Sequence, residues 1–123
     1  MDVPPAAPVK EIEQGVSADA MVNHTVIRSD TGRGGYAMRF TDTITPNGVN
    51  YSVSNMKVLD ETDNDKDISD QFTINWDKNA NTVTAVRKDT TTMMPLDHTY
   101  AFHLDVTVAK PDINKVTDKG TVL

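Results

Sequence analysis

Residues 99–108, TYAFHLDVTV, carry the clearest structural signal in the chain. Tyr100, Phe102, Leu104, Val106 and Val108 alternate with small or polar residues. In an extended strand, successive side chains point to opposite faces, so this alternation gives one apolar face and one polar face. The segment is therefore predicted to be a half-buried β-strand.

Similar short segments recur on both sides of this strand, separated by turn sequences such as TPNG and DKNAN. The predicted strands are VKEIEQ (9–14), MVNHTVIR (21–28), YAMRFTDTI (36–44), VNYSVSNMKVL (49–59), QFTINW (71–76) and TVTAVR (82–87), with a last strand or pair of strands in INKVTDKGTVL (113–123). Seven or eight short strands with no credible helix predict an all-β, immunoglobulin-like antiparallel β-sandwich.

The length predicts a single domain, because 123 residues suffice for one hydrophobic core. We place this β-sandwich domain at residues 9–123. Residues 1–8, MDVPPAAP, are predicted to be an extended linker, since three prolines remove backbone donors and restrict the backbone.

Composition excludes several classes of function. A net charge of −6 argues against nucleic acid and anionic membranes as partners. No apolar run approaches the roughly 20 residues needed to span a bilayer. The chain has no cysteine, which excludes disulfides, thiolate catalysis and cysteine-ligated zinc. The domain must therefore be stabilised by packing or by another kind of covalent link.

One carboxylate stands out in the strand YAMRFTDTI (36–44). The alternation places Asp42 on the same side as Tyr36, Met38, Phe40 and Ile44, the side that should face the core. Aspartate is rarely fully buried without a partner. Asp42 is expected either to cap the TPNG turn that follows or to pair with a buried cation.

Lys10 is the natural candidate for that cation, because it shares a face with Ile12 in the first predicted strand. The alternative is that Lys10 extends along a sheet edge into solvent. Desolvation lowers a lysine pKa and raises an aspartate pKa, so the proton can move to the carboxyl group and leave a nucleophilic amine. An asparagine amide within reach would then be attacked, with ammonia as the leaving group, and proximity lowers such a barrier by about 7–11 kcal/mol.

Three further segments carry a family resemblance: PVKEI (8–12), FTDTITPNGVNY (40–51) and DISDQFTINWDKNANTVTAVRKD (67–89). Together with TYAFHLDVTVAKP they resemble the self-crosslinking immunoglobulin-like domains of Gram-positive surface adhesins and pilins. The resemblance extends from about Lys10 to Val108. Those domains form an intramolecular Lys–Asn isopeptide bond, which implies that Lys10 is the nucleophile and Asp42 the acid that carries the proton.

The resemblance leaves the third residue of the cross-link open. Asn114 is the first candidate, because it alternates with Val116 in the last predicted strand, although an ordinary turn residue after Pro111-Asp112 is the simpler interpretation. Asp118 lies on the same alternation and would release water instead of ammonia. A third interpretation is that the true last strand is missing, in which case a peptide carrying it would add to the open edge and be captured covalently.

The resemblance implies a structural module of a bacterial adhesin or pilus stalk, outside the cell on a wall-anchored protein. It would be monomeric, need no cofactor and contact neighbouring domains of the same protein. It would not be an enzyme beyond one autocatalytic event. The main alternative is a ligand-binding adhesin domain that binds a host ligand through the loops SDTGRGG (29–35) and DETDNDKDISD (60–70). The second loop lacks the glycine and terminal glutamate of an EF-hand, so no metal site is expected there.

Overall fold

A computed structural model describes residues 9–13, 20–31 and 35–123 of the chain. The strands are β1 (Val9–Glu13), β2 (Ala20–Arg28), β3 (Arg39–Thr45), β4 (Tyr51–Asp60), β5 (Lys66–Asp67), β6 (Phe72–Asp77), β7 (Thr82–Arg87), β8 (Tyr100–Ala109) and β9 (Thr117–Val122). Three single-turn 3-10 helices, Glu61–Asp63, Ser69–Gln71 and Lys110–Asp112, complete the regular structure of the described residues, none of which form an α-helix.

The strands form two antiparallel sheets that pack face to face. One sheet has the order β1-β2-β8-β4-β5 and the other the order β6-β7-β3-β9. This arrangement confirms the predicted all-β, immunoglobulin-like sandwich. The strand count exceeds the prediction because β5 is a two-residue strand within the predicted acidic loop.

The core lies between the central strands of the two sheets. In β8, Phe102, Leu104 and Val106 are buried, as the alternation predicted. The Phe40 ring of β3 packs between the aromatic rings of Phe102 and Phe72, with centroid separations of 5.9 and 6.1 Å. The aromatic contacts therefore tie the two sheets together at their centres.

The strand predicted at 36–44 begins later than its sequence pattern indicates. The structure starts β3 at Arg39, and Tyr36, expected in the core, is 53% exposed. The guanidinium of buried Arg87 donates hydrogen bonds to the carbonyl oxygens of Tyr36 and Thr92, at 2.7 and 2.6 Å. These bonds fix the backbone before β3 against the β7–β8 connection, and the Tyr36 side chain is left outside the core.

The two sheets each place an outer strand at the same side of the sandwich. β1 is the edge strand beside β2, and β9 is the edge strand beside β3. β2 and β9 contact each other across the interior. The predicted linker at residues 1–8 lies outside the described residues. Among the residues that the structure describes, no helix is both long and apolar enough to cross a membrane.

Candidate functional site

Asp42 lies in the middle of β3 and is 0% exposed. On its own strand it is flanked on the inner face by Phe40 and Ile44, both buried. Across the sheet it pairs with Val83 of β7 on one side and Gly120 of β9 on the other. Its neighbours within this sheet are therefore apolar side chains and backbone, and the predicted inward orientation is confirmed.

Asp118 of β9 is the second buried carboxylate of this region. It pairs with Ile44, two residues along β3 from Asp42, so the two aspartates share the inner face. Diagonal neighbours of this kind lie about 7–8 Å apart in an antiparallel pair. Both carboxylate oxygens of Asp118 are inaccessible to solvent. Two acidic groups are thus held close together inside the sandwich.

Gly120 allows β9 to approach the opposite sheet. A Cβ atom at this position would lie 2.6 Å from Cγ1 and 2.7 Å from Cδ1 of Ile27 in β2. Real Cβ atoms essentially never come so close to another heavy atom. A glycine is therefore required for the two sheets to lie this close at the β2–β9 edge.

The Ile27–Gly120 contact shows how the residues of β2 and β9 are aligned across the interior. β8 ends at Ala109 and β9 begins at Thr117 after the short connection 110–116, so β9 runs back across the sandwich antiparallel to β8, as β2 does within its sheet. β2 and β9 therefore run in the same direction on facing sheets. Since Thr25 and Asp118 each lie two residues back from the Ile27–Gly120 contact, we infer that they lie near each other across the interior.

The first strand enters the site through its pairing with β2. The β1–β2 register places Lys10 directly opposite Thr25 and Ile12 opposite Asn23. Thr25 is 1% exposed and belongs to the buried face of β2. The backbone of Lys10 is thus brought to the level of Asp118, at the β1–β2 edge of the sandwich.

Two polar residues of β2 complete the site and were not identified from the sequence. Asn23 and Thr25 are buried, and within the described residues neither Asn23 Oδ1 nor Thr25 Oγ1 has a hydrogen-bond partner. Buried polar atoms normally have hydrogen-bond partners, so two such atoms without partners on one strand are unusual. The signal was present in MVNHTVIR, where Asn23, Thr25 and Ile27 alternate onto one face.

Asn114, the first candidate for the cross-link, is placed elsewhere. Residues 113–115 form a turn between the 3-10 helix Lys110–Asp112 and β9, and the Asn114 side chain is exposed. The interpretation of Asn114 as a turn residue is therefore confirmed, and an inward orientation alongside Val116 is wrong. Its participation in a cross-link stays a prediction, and the geometry favours Asp118, the predicted alternative.

The acidic loop is built by local hydrogen bonds. The Asp60 side chain accepts a bond from the backbone of Asp63, and the Asp67 side chain accepts one from the backbone of Ser69. Hydrogen bonds from the Ser69 side chain and then from its backbone lower the pKa of Asp67. Within the described parts of the chain, no three His, Asp or Glu side chains are grouped so that they could hold a metal ion.

Comparison with known proteins identifies similar folds but no family. No protein-family profile matches the sequence, and no curated protein matches it. The fold is similar to the C-terminal domain of the Streptococcus pyogenes antigen I/II-family protein AspA, with 13% identity and a TM-score of 0.52 over 89% of this chain and 38% of that one.

Two pilins also resemble the chain. The major pilin subunit BcpA of Bacillus cereus shares 12% identity, with a TM-score of 0.49 over 92% of this chain and 38% of that one. A C-terminal fragment of the major pilin of Streptococcus agalactiae shares 12% identity, with a TM-score of 0.46 over 85% of this chain and 43% of that one. The chain thus spans less than half the length of each of these structures. At this identity the similarity to AspA establishes the fold alone.

Proposed function

We propose that the chain is a structural module of a bacterial surface protein, stabilised by an isopeptide bond between Lys10 of β1 and Asp118 of β9. Asp42 carries the proton during bond formation. The observation that supports this most directly is the pair of buried carboxylates on adjacent strands, at the level where Lys10 pairs with Thr25. Each molecule would form this bond only once, so the module is not an enzyme that turns over substrate. We infer that it is part of a pilin or adhesin outside the cell.

The β1–β2 register supports the role of Lys10. Residues directly opposite each other in an antiparallel pair present their side chains on the same face. The register places the Lys10 backbone opposite buried Thr25, and the proposal requires the Lys10 amine to reach the interior from this position. A lysine there would meet Asp118 across the gap between the sheets.

The proposed reaction is a condensation. The Lys10 ammonium first gives a proton to the Asp118 carboxylate, which leaves a neutral amine and a carboxylic acid, while Asp42 stays ionised. The amine nitrogen then attacks Cγ of Asp118, a C–N bond forms, and the C–O bond to the departing oxygen breaks. Asp42 accepts a proton from the attacking nitrogen and returns it to the leaving oxygen, so that one water molecule is released.

Burial of the charges favours the bonded state. An ammonium and a carboxylate inside a protein each carry a large desolvation cost, which their attraction offsets only with good geometry. The amide that joins Lys10 to Asp118 removes one charge of each sign from the interior. By analogy with a disulfide that closes a loop of about 100 residues, the bond also removes about 4.7 kcal/mol of unfolded-state entropy.

Mass spectrometry of the intact, denatured protein tests the proposal. The expected mass is lower than the sequence mass by one water, and Lys10→Ala, Asp42→Ala and Asp118→Ala should each leave their chain unreacted. Asp118→Asn should release ammonia instead, and therefore reach the same final mass as the wild type. Asp70→Ala, which changes an exposed carboxylate, is the matched control and should cross-link normally.

The outcomes separate the remaining interpretations. Loss of ammonia from the wild-type chain would assign the bond to an asparagine, and Asn114→Ala would then abolish it. An unmodified mass would overturn the intramolecular bond. Incubation with peptides that supply a further strand would then distinguish a covalent peptide receptor from a ligand-binding domain without a cross-link.

A further inference from the structure

A small cleft lies at the end of the sandwich formed by the β3–β4 and β6–β7 turns, opposite the end at which β2 and β9 terminate. Its volume is about 260 Å3. The residues that line it are Pro46, Val49, Asn50, Tyr51, Trp76, Lys78 and Asn81. None of them belongs to the proposed cross-linking site, so the cleft is a separate feature of the molecule.

Two aromatic rings form one wall of this cleft. Tyr51 of β4 and Trp76 of β6 lie with ring centroids 5.5 Å apart and planes tilted by 46°. Both rings are only half-buried. Trp76 is the only tryptophan of the chain. A partly exposed indole beside a tyrosine offers a flat apolar surface with polar edges, which suits a ligand with both kinds of group.

A chain of hydrogen bonds orients the polar groups of the cleft. The indole Nε1 of Trp76 donates to the Tyr51 hydroxyl at 3.4 Å, and that hydroxyl donates to Oδ1 of Asn81 at 2.7 Å. This bond uses the amide oxygen of Asn81 and leaves its NH2 group as the donor end. Within the described residues, no hydrogen bond occupies that NH2 group, which is therefore available to a ligand.

The cleft has one charged group. Lys78 holds its ammonium 4.8 Å from the centre of the Trp76 ring. A cation–π contact at an exposed position is weak, so a ligand can displace the ammonium from the ring. No carboxylate is among the lining residues, and the cleft therefore favours a neutral or anionic ligand over a cationic one.

We propose that the cleft binds a single sugar unit that carries a carboxylate. The apolar face of the sugar ring packs on the Trp76 indole, and a ring hydroxyl accepts a hydrogen bond from the Asn81 amide. Lys78 moves from the ring to pair with the sugar carboxylate. This binding activity is independent of the proposed cross-link, because the two sites share no residue.

Tryptophan fluorescence gives a direct assay, since the only tryptophan lies in the cleft. Titration with glucuronate should change the Trp76 emission saturably, and glucose should bind more weakly. Asn81→Asp retains an acceptor for the Tyr51 hydroxyl but replaces the free NH2 donor by a negative charge. It should weaken glucuronate binding by about tenfold or more.

Asn64→Asp is the matched control, because Asn64 is an exposed residue with the same left-handed backbone as Asn81 and lies outside the cleft. It should leave the affinity unchanged. No change in emission with either sugar would overturn the site. Equal affinity for glucose and glucuronate would overturn the acidic specificity, and an equal loss in the two variants would overturn the assignment to Asn81.

Discussion

Replacement of Gly120 by alanine tests whether the close approach of β2 and β9 assembles the proposed site. The new Cβ would lie 2.6 Å from Cγ1 of Ile27. Ile27 is fully buried and β-branched, so its side chain has little freedom to move away. Overpacking costs about 1–3 kcal/mol, while the loss of glycine flexibility in the unfolded chain returns about 0.4–1 kcal/mol. The two ranges leave a net cost of about 0–2.6 kcal/mol, and because Ile27 cannot move away we expect Gly120→Ala to lower the free energy of unfolding by roughly 1–2 kcal/mol.

Urea unfolding of a Lys10→Ala chain measures this effect without a covalent bond between the sheets. A double-mutant cycle identifies its cause. Ile27→Ala alone should cost about 2–5 kcal/mol, because it leaves a cavity. Combined with Gly120→Ala it should cost less than the sum by about 1–2 kcal/mol, since the new methyl group then enters the space left by Ile27.

The same substitution should also slow the condensation in the chain that retains Lys10, because a wider gap moves the amine away from Asp118. Intact-mass measurements during refolding report that rate. Additive effects of Gly120→Ala and Ile27→Ala, within about 0.5 kcal/mol, would refute the argument from the Ile27 contact. An unchanged cross-linking rate would show that the Gly120–Ile27 contact does not position Lys10 and Asp118 for the condensation.

Two further predictions concern residues outside the proposed site. The hydrogen bond to Asp60 raises the pKa of His98 above 6.5, so its stabilisation is fully present below that pH and is lost as the pH rises through the folded-state pKa. Urea unfolding at a series of pH values should therefore show the difference between wild type and His98→Gln shrinking as pH increases. Arg87→Leu leaves the carbonyl oxygens of Tyr36 and Thr92 without their donor, and should reduce the free energy of unfolding by about 1.5–3 kcal/mol in the same assay.

The strands were predictable where the sequence alternates without ambiguity. The bounds of β7 match the predicted segment, and β8 differs by one residue at each end. The prediction for Tyr36 was wrong because this residue follows the same alternation as the core residues and was therefore included in the strand. The position of that residue depends on hydrogen bonds from Arg87, which is distant in sequence, and no local pattern contains that information.

The proposed site was predictable only in part. Parity within one strand was enough to place Asp42 inside, because Phe40 and Ile44 flank it on the same face. The alternation could not decide between Asn114 and Asp118, because it places both on the same face as Val116. The decision depends on where the turn ends, and β9 begins only at Thr117. The roles of Gly120 and Thr25 depend on contacts between sheets, which alternation along a strand does not reveal.

The location of Lys10 and Asp118 in their strands suggests why a covalent bond would be useful here. β1 begins at Val9, opposite Val26 near the end of β2, and β9 ends at Val122 beside the start of β3. Both strands can thus be pulled from the same end of the sandwich. Both are edge strands, so a pull would separate their backbone hydrogen bonds one after another instead of loading them together. A bond from Lys10 to Asp118 would carry that load covalently once the residues of β9 beyond Asp118 have separated, and would protect the rest of β1 and the strands between the two residues.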